Sequence, residues 1–243
     1  VADCGVRLVD SPGEMIGKID GVLVLSLCGS AHLERVEPFL QAGVPSFVDK
    51  PFACIYADAE RMVARARESR TLLFNSSALT YAEEIDRFRG RKKDIGTLHG
   101  AVAYGPAKRA AGNPGLFHYG IHAVSILFAL MGPGCRQVAT TFTEAAEVAT
   151  GVWSDGRTGT LRGARAGSTA YGFVAFCENG VIDQPVSTRY TYRNLCRKIV
   201  ESFSSGRPDV DHDTSLELVR FVLASLESES RGGAPVELDS IHA

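Results

Sequence analysis

Residues 20–52 leave few choices of fold. Val22-Leu23-Val24-Leu25-Ser26-Leu27 is a continuous apolar run of strand length, the pattern of a parallel strand covered on both faces. Cys28-Gly29-Ser30 makes a turn, Ala31 to Ala42 carries a helical pattern, and Gly43 stands where a helix ends. A second apolar run, Val44 to Val48, leads into Asp49-Lys50-Pro51-Phe52. Strand, helix and strand within about thirty residues form a βαβ unit, whose crossover is nearly always right-handed. Ligands of such open sheets sit outside the carboxyl ends of the strands. The Cys28–His32 turn and Lys50 are therefore both expected at that edge. Pro51 disfavours helical backbone at Lys50 and is expected to hold it extended. Taken alone, Asp49 and Lys50 are a solvated pair where a strand leaves its sheet.

The rest of the chain divides near residue 95. Before it, Val6 to Val9 is a short possible strand, and Pro12-Gly13-Glu14-Met15 a helical turn or two. Asp58 to Ser69 is a helix with Met62, Val63 and Ala66 inward. Thr71 to Phe74 is a strand that brings Asn75-Ser76-Ser77 to the same carboxyl edge. Tyr81 to Phe88 is a short helix, and Gly90-Arg91-Lys92-Lys93-Asp94 a basic surface loop. After residue 95, a strand begins at Gly96–Val102, and an apolar helix runs from about Leu116 to Met131. Apolar on nearly all sides, that helix should be buried. Residues 135–186 read as an antiparallel sheet with hairpins at Ser154-Asp155-Gly156-Arg157 and Glu178-Asn179-Gly180. Tyr171, Phe173 and Ala175 face one side of it, and Val174 and Phe176 the other. Two apolar faces call for helices on one and a second subunit on the other. Helices at about 190–204 and 215–230 close the chain, followed by Pro235-Val236-Glu237-Leu238. The fold class expected is α/β: a partial doubly wound, Rossmann-like parallel sheet (residues 1–95) joined to an α+β domain with an open, mostly antiparallel sheet (residues 96–243).

Composition excludes several classes of function. A chain of 243 residues, 45% hydrophobic and 22% charged, can bury a large core. Its net charge of −2 makes no electrostatic case for nucleic acid or an anionic membrane. No apolar run approaches the ~20 residues that span a bilayer. Cysteines 4, 28, 54, 135, 177 and 196 are scattered, with no Cys-x-x-Cys pair. They read as reduced thiols in a cytoplasmic setting, not as a disulfide frame or a metal site. The chain opens on Val1, so a removed leader stays open.

His118 and His122 interrupt the apolar helix four residues apart, which puts them on one helical face. Three readings compete: histidines satisfied in the core, a metal pair without an evident third ligand, or proton-transfer groups.

The hydrophobic strand, His32 opening a helix, Gly43, and Asp49-Lys50-Pro51-Phe52-Ala53 together resemble the nucleotide domain of the glucose–fructose oxidoreductase / inositol dehydrogenase / MocA (Gfo/Idh/MocA) family. There the strand usually ends in Glu-Lys-Pro and its lysine is catalytic. His118-Tyr119-Gly120-Ile121-His122 resembles the family's Asp-x-Gly-x-His segment, with His118 in the aspartate's place and Ser125 where a second aspartate is common. Ser77 stands where an arginine is frequent. The resemblance implies an NAD- or NADP-dependent oxidoreductase acting on a secondary hydroxyl of a sugar or polyol, assembled as a homodimer or homotetramer through the open sheet. It assigns Lys50, His122 and His118 to catalysis, and the same three with Tyr119 to substrate binding. Leu27, Cys28, Gly29, His32, Asp49, Lys50, Pro51 and Asn75 are assigned to the cofactor, and no metal is implied. No Gly-x-Gly-x-x-Gly turn occurs in these residues. By the resemblance Val1 falls just after the family's second strand and helix, with at least one βαβ unit expected to be missing. These residues alone are accordingly expected to bind dinucleotide weakly. A non-catalytic ligand sensor or scaffold on the same fold is the alternative.

Overall fold

In the computed structural model, which describes residues 4–242, the chain forms two sheets. The first contains β1 (Val22–Val24), β2 (Ser46–Asp49) and β3 (Leu73–Ser76), in that order and all parallel. Their crossovers are α1 (His32–Gln41) and α2 (Tyr56–Glu68). Gly43 follows α1 at φ +74°, the left-handed backbone that glycine supplies at a helix exit. Met62, Val63 and Ala66 are buried, as the helical spacing predicts.

β2 and β3 are covered on both sides. Val48 and Leu73 join the core shared with α1 and α2. Phe47 and Phe74 meet edge-to-face at 5.1 Å, and cluster with Leu195 and Ile199. β1 departs from the expected pattern. It ends at Val24, and only Val22 and Val24 are buried, while Leu23, Leu25 and Leu27 face solvent. The apolar cover over Phe47 and Phe74 stops short of Leu23. Val6 to Val9 likewise forms no strand, since no neighbouring strand pairs with it among the described residues. Pro12–Met15 is a single 3-10 turn.

Beyond the first sheet come α3 (Glu83–Gly90) and α4 (Lys92–Ile95). The basic stretch expected to be a loop is therefore helical at its end, where Ile95 turns into the core. The second sheet has seven strands. They are β4 (Leu98–Pro106), β5 (Cys135–Phe142), β6 (Ala146–Trp153), β7 (Thr158–Ala164), β8 (Tyr171–Cys177), β9 (Gly180–Val186) and β10 (Val236–Glu237). Their order is β10-β5-β6-β7-β4-β8-β9. Both hairpins form as read from the sequence. One pairing is parallel, β4 with β7, within a sheet that is mostly antiparallel as expected.

α5 (Gly120–Met131) packs on β4 and is buried along nearly its whole length. α6 (Thr191–Ser205) carries Leu195 and Ile199, and α7 (His212–Ser230) packs on β5 and reaches back to α2 and β3. Phe173 and Ala175 are fully buried on the helix side of β8. The outward face is mixed, with Phe176 and Val181 exposed and Thr150 and Thr160 hydrogen-bonded across β6 and β7 at 3.2 Å. No helix among the described residues is long and apolar enough to cross a membrane.

Candidate active site

The carboxyl ends of β1, β2 and β3 deliver three segments to one edge: Ser26–Gly29, Asp49–Phe52 and Ser76–Ser77. Two buried side chains brace them. His32 is fully buried, with Nε2 2.8 Å from the Ser26 carbonyl and Nδ1 3.2 Å from that of Phe52. It ties the first segment to the second. Asn113, from the loop after β4, donates from Nδ2 to the Leu27 carbonyl at 2.8 Å and accepts from the Gly29 N–H at 3.0 Å. Its amide can do both because it carries a donor and an acceptor on one planar group. The same loop accepts from the Cys28 thiol at the Gly112 carbonyl, 3.0 Å away. That loop is itself anchored by Arg109, which donates at 2.9 Å to Glu147, a carboxylate only 1% exposed on β6.

Gly29 is required for a packing reason. A Cβ there would lie 2.8 Å from Pro51 Cγ and 2.9 Å from Cys54 Sγ. The turn after β1 thus presses directly on the Lys50-Pro51 segment, whose peptide bond is cis.

These placements revise parts of the sequence reading. His32 has no exposure and both ring nitrogens are engaged, so it braces the site and cannot touch a cofactor through its ring. Gly29 is turned to Pro51. Asn75 spends its amide N–H on the Val48 carbonyl at 2.7 Å, holding β3 to β2. Leu27, 68% exposed, and half-buried Cys28 and Lys50 remain open at the edge. Asp49 is half-buried, and burial pushes its carboxyl above the usual range, against the pull of the Lys50 backbone N–H and charge. Asn113 was not foreseen as a site residue; the Asn-Pro-Gly sequence announces only a turn.

Opposite the edge stands the N-terminus of α5. The expected single helix from Leu116 is broken. Gly115–Phe117 is a 3-10 turn, His118 leaves it at ψ −84°, and α5 begins at Gly120. His118 therefore precedes the helix instead of sharing a helical face with His122. Rings nonetheless run in a series, His118 to Tyr119 at 4.8 Å, Tyr119 to His122 at 6.2 Å and His122 to Tyr171 at 5.9 Å. Ser77 Oγ lies 2.7 Å from His122 Nδ1 and accepts from the Leu79 N–H. Where the resemblance places a second aspartate, Ser125 donates to the Ile121 carbonyl of its own helix at 2.8 Å.

Electrostatics follows burial. Desolvation, with smaller repulsions from Lys50 and His118, pushes the His122 pKa down to about 3. The ring is thus neutral at ordinary pH, and does not titrate near neutrality as a histidine in water would. His118 is lowered for the same first cause and by Lys50. Burial pushes the Tyr171 hydroxyl up to about 12. Lys50 makes no salt bridge among the described residues. Behind it lies a cavity of about 170 Å³, lined in part by Ser76, Ser77, Ser125, Asp209 and Asp211. No group of three or more potential metal ligands occurs among the described residues.

Sequence comparison then bears on this edge. Residues 1–76 match the family model described as "Oxidoreductase family, NAD-binding Rossmann fold" (GFO_IDH_MocA). No curated protein matches the chain significantly. Among solved structures, GenD2 from gentamicin A biosynthesis, in complex with NAD, superposes with a TM-score of 0.83 at 19% identity, over 97% of this chain and 84% of its own. A myo-inositol dehydrogenase from Corynebacterium glutamicum gives 0.81 at 17% identity, over 95% and 84%. Scyllo-inositol dehydrogenase from Lactobacillus casei, with bound NAD(H) and scyllo-inositol, gives 0.79 at 14%, over 93% and 83%. At these identities the likeness is one of fold, and it extends across both sheets.

Proposed function

We propose that this chain is a Gfo/Idh/MocA-type, NAD(P)-dependent oxidoreductase that interconverts a secondary hydroxyl of a sugar or polyol with its ketone. The observation that supports it most is an ion-pair-free Lys50 at the sheet edge, close enough to a half-buried, neutral His122 on α5 to help lower its pKa. Residues 1–95 are taken as the dinucleotide side, and 96–243 as the substrate and assembly side.

The residues present fit the nicotinamide end of a dinucleotide. Exposed Leu27 and the open Cys28 turn offer a flat apolar rim beside Pro51, and Lys50 stands next to it. Gly29 and His32 support that rim from behind. When bound, the nicotinamide supplies the carbon that gives or accepts hydride.

The chain's own work is proton transfer and orientation. In the reductive direction the Lys50 ammonium gives its proton to the carbonyl oxygen of the substrate as the alkoxide develops; in the oxidative direction the neutral amine takes the hydroxyl proton. Ser77 Oγ, 2.7 Å from Nδ1, orients the His122 ring; with the hydroxyl donating to Nδ1, the ring proton stands on Nε2 and serves the reacting oxygen as a hydrogen-bond donor. Tyr119 and His118 border the substrate. Free thiols throughout the described residues suit a reducing, cytoplasmic setting.

A reading as a non-catalytic sensor would keep ligand binding and lose hydride transfer. The test is to follow nicotinamide absorbance against a panel of polyols and sugars, with NAD and NADP each raised to saturation because these residues alone are expected to bind dinucleotide weakly. Turnover with any of them supports the proposal, and ligand-induced stabilisation with no turnover across the panel supports the sensor.

A further inference from the structure

Two of the six thiols meet at the turn after β1, and proton transfer at Lys50 makes no use of either. Cys28 Sγ donates to the Gly112 carbonyl at 3.0 Å and lies 3.0 Å from Ser30 Oγ. Cys54, just past Phe52, points its sulfur at the same carbonyl oxygen from 3.8 Å, and at Asn113 Oδ1 from 3.3 Å. The backbone lets both sulfurs in. A Cβ at Gly112 would lie 2.8 Å from Cys28 Sγ, and one at Gly29, next to Cys28 in sequence, 2.9 Å from Cys54 Sγ. Cys135 is engaged elsewhere, 3.6 Å from the Gln137 carbonyl on β5, and Cys4 and Cys196 are exposed.

The two thiols differ in access. Cys28 is half-buried and open at the sheet edge, while Cys54 is only 8% exposed. Burial, with a smaller contribution from Cys28 itself, pushes the Cys54 thiol up to about 12, against the pull of the Gly29 and Ser30 N–H groups. Cys54 is therefore a poor first target for an oxidant, and Cys28 is the open one. Thiols donate only weakly, so little holds either sulfur to the carbonyl. An accessible cysteine beside a second one is the arrangement of a redox sensor where thiols are otherwise kept reduced.

We propose that Cys28 and Cys54 are the site of a reversible disulfide formed with a peroxide. The Cys28 sulfur attacks the O–O bond of hydrogen peroxide, keeps one oxygen as a sulfenic acid and releases the other as water. The Cys54 sulfur then bonds to that of Cys28. The S–O bond breaks, and the Cys54 proton leaves with the hydroxyl as a second water. Two electrons pass from the thiols to the peroxide, and a dithiol reductant returns them. Closing the bond withdraws both S–H donors from the Gly112 carbonyl, which loosens the loop that braces the turn through Asn113. None of this requires hydride transfer.

The experiment treats the folded chain, dilute and at limiting dose, with hydrogen peroxide, then counts thiols and maps peptides. Free thiols should fall from six to four, with one linkage, 28 to 54, that dithiothreitol reverses. Cys54→Ser should leave a sulfenic acid at Cys28 that dimedone traps, and Cys28→Ser should leave Cys54 reduced. Circular dichroism checks that both variants fold. Backbone hydrogen exchange across residues 110–113 should rise in the linked chain. Linkages scattered as in the urea-unfolded chain, oxidation of Cys54 in Cys28→Ser, or a Cys28 that proceeds to sulfinic acid with Cys54 free would overturn the proposal. Unchanged exchange at 110–113 in the linked chain would overturn its effect on the loop.

Discussion

Ser77 Oγ and His122 Nδ1 lie 2.7 Å apart, joining the end of β3 to the first turn of α5 across 45 residues of sequence. The bond couples the parallel sheet to the helix that carries the candidate site, and it fixes the orientation of the ring. It also makes a stability prediction with a defined sign. His122 has its pKa lowered from 6.5 to about 3, so between those values the unfolded chain binds a proton that the folded chain refuses. Its contribution is fully present above pH 6.5 and is lost as pH falls toward 3, at up to about 1.4 kcal/mol per pH unit. Urea unfolding from pH 7 to pH 4 should show a shallower loss for His122→Gln than for the unaltered chain. Parallel slopes would mean that the histidine is solvated.

Ser77→Ala removes one partner of that bond and leaves Nδ1 buried. A loss of about 1–3 kcal/mol in unfolding free energy at pH 7 is expected. A change under about 0.5 kcal/mol would show that water replaces the hydroxyl.

Asn113 bridges the Leu27 carbonyl and the Gly29 N–H from a loop more than eighty residues away in sequence. Asn113→Ala should cost about 2–3 kcal/mol, since both backbone groups lose their partner. Asn113→Asp keeps the acceptor for Gly29 and should recover part of that loss. Indistinguishable losses for the two variants would contradict the bridging geometry.

The outward face of the second sheet exposes Phe176 and Val181 on paired positions of β8 and β9. Such apolar pairs on a broad sheet suit association with a second copy. Sedimentation should find a dimer or tetramer that Phe176→Glu with Val181→Lys dissociates. A monomeric unaltered chain would refute this.

Much of the first sheet was legible because its signals are local. Apolar runs of strand length, the helical spacing of Met62, Val63 and Ala66, and Gly43 at a helix exit each act within a few residues. The same reading overstated β1: a run of leucines cannot tell whether anything covers its second face. It also fused the 3-10 turn at Gly115–Phe117 with α5, although a Cβ at Gly120 would lie 2.5 Å from Leu116 Cδ2, a contact that depends on the break. The parallel β4–β7 pair and the Asn113 bridge were not readable, because both depend on contacts that no local pattern encodes. Lys50 and His122 were placed from motifs, and the fold brings the α5 N-terminus near enough for the Lys50 charge to act on His122. His32 carried a motif position but a supporting role, which only its burial reveals.

The central claim is that Lys50 moves the proton. Lys50→Arg keeps a positive charge but cannot release a proton at usable pH. With a substrate found in the nicotinamide assay, steady-state turnover of this variant should fall roughly 10²-fold or more, while NADH affinity by fluorescence titration stays unchanged. Turnover within about twofold of the unaltered chain would contradict the account and reduce Lys50 to a surface charge beside Asp49.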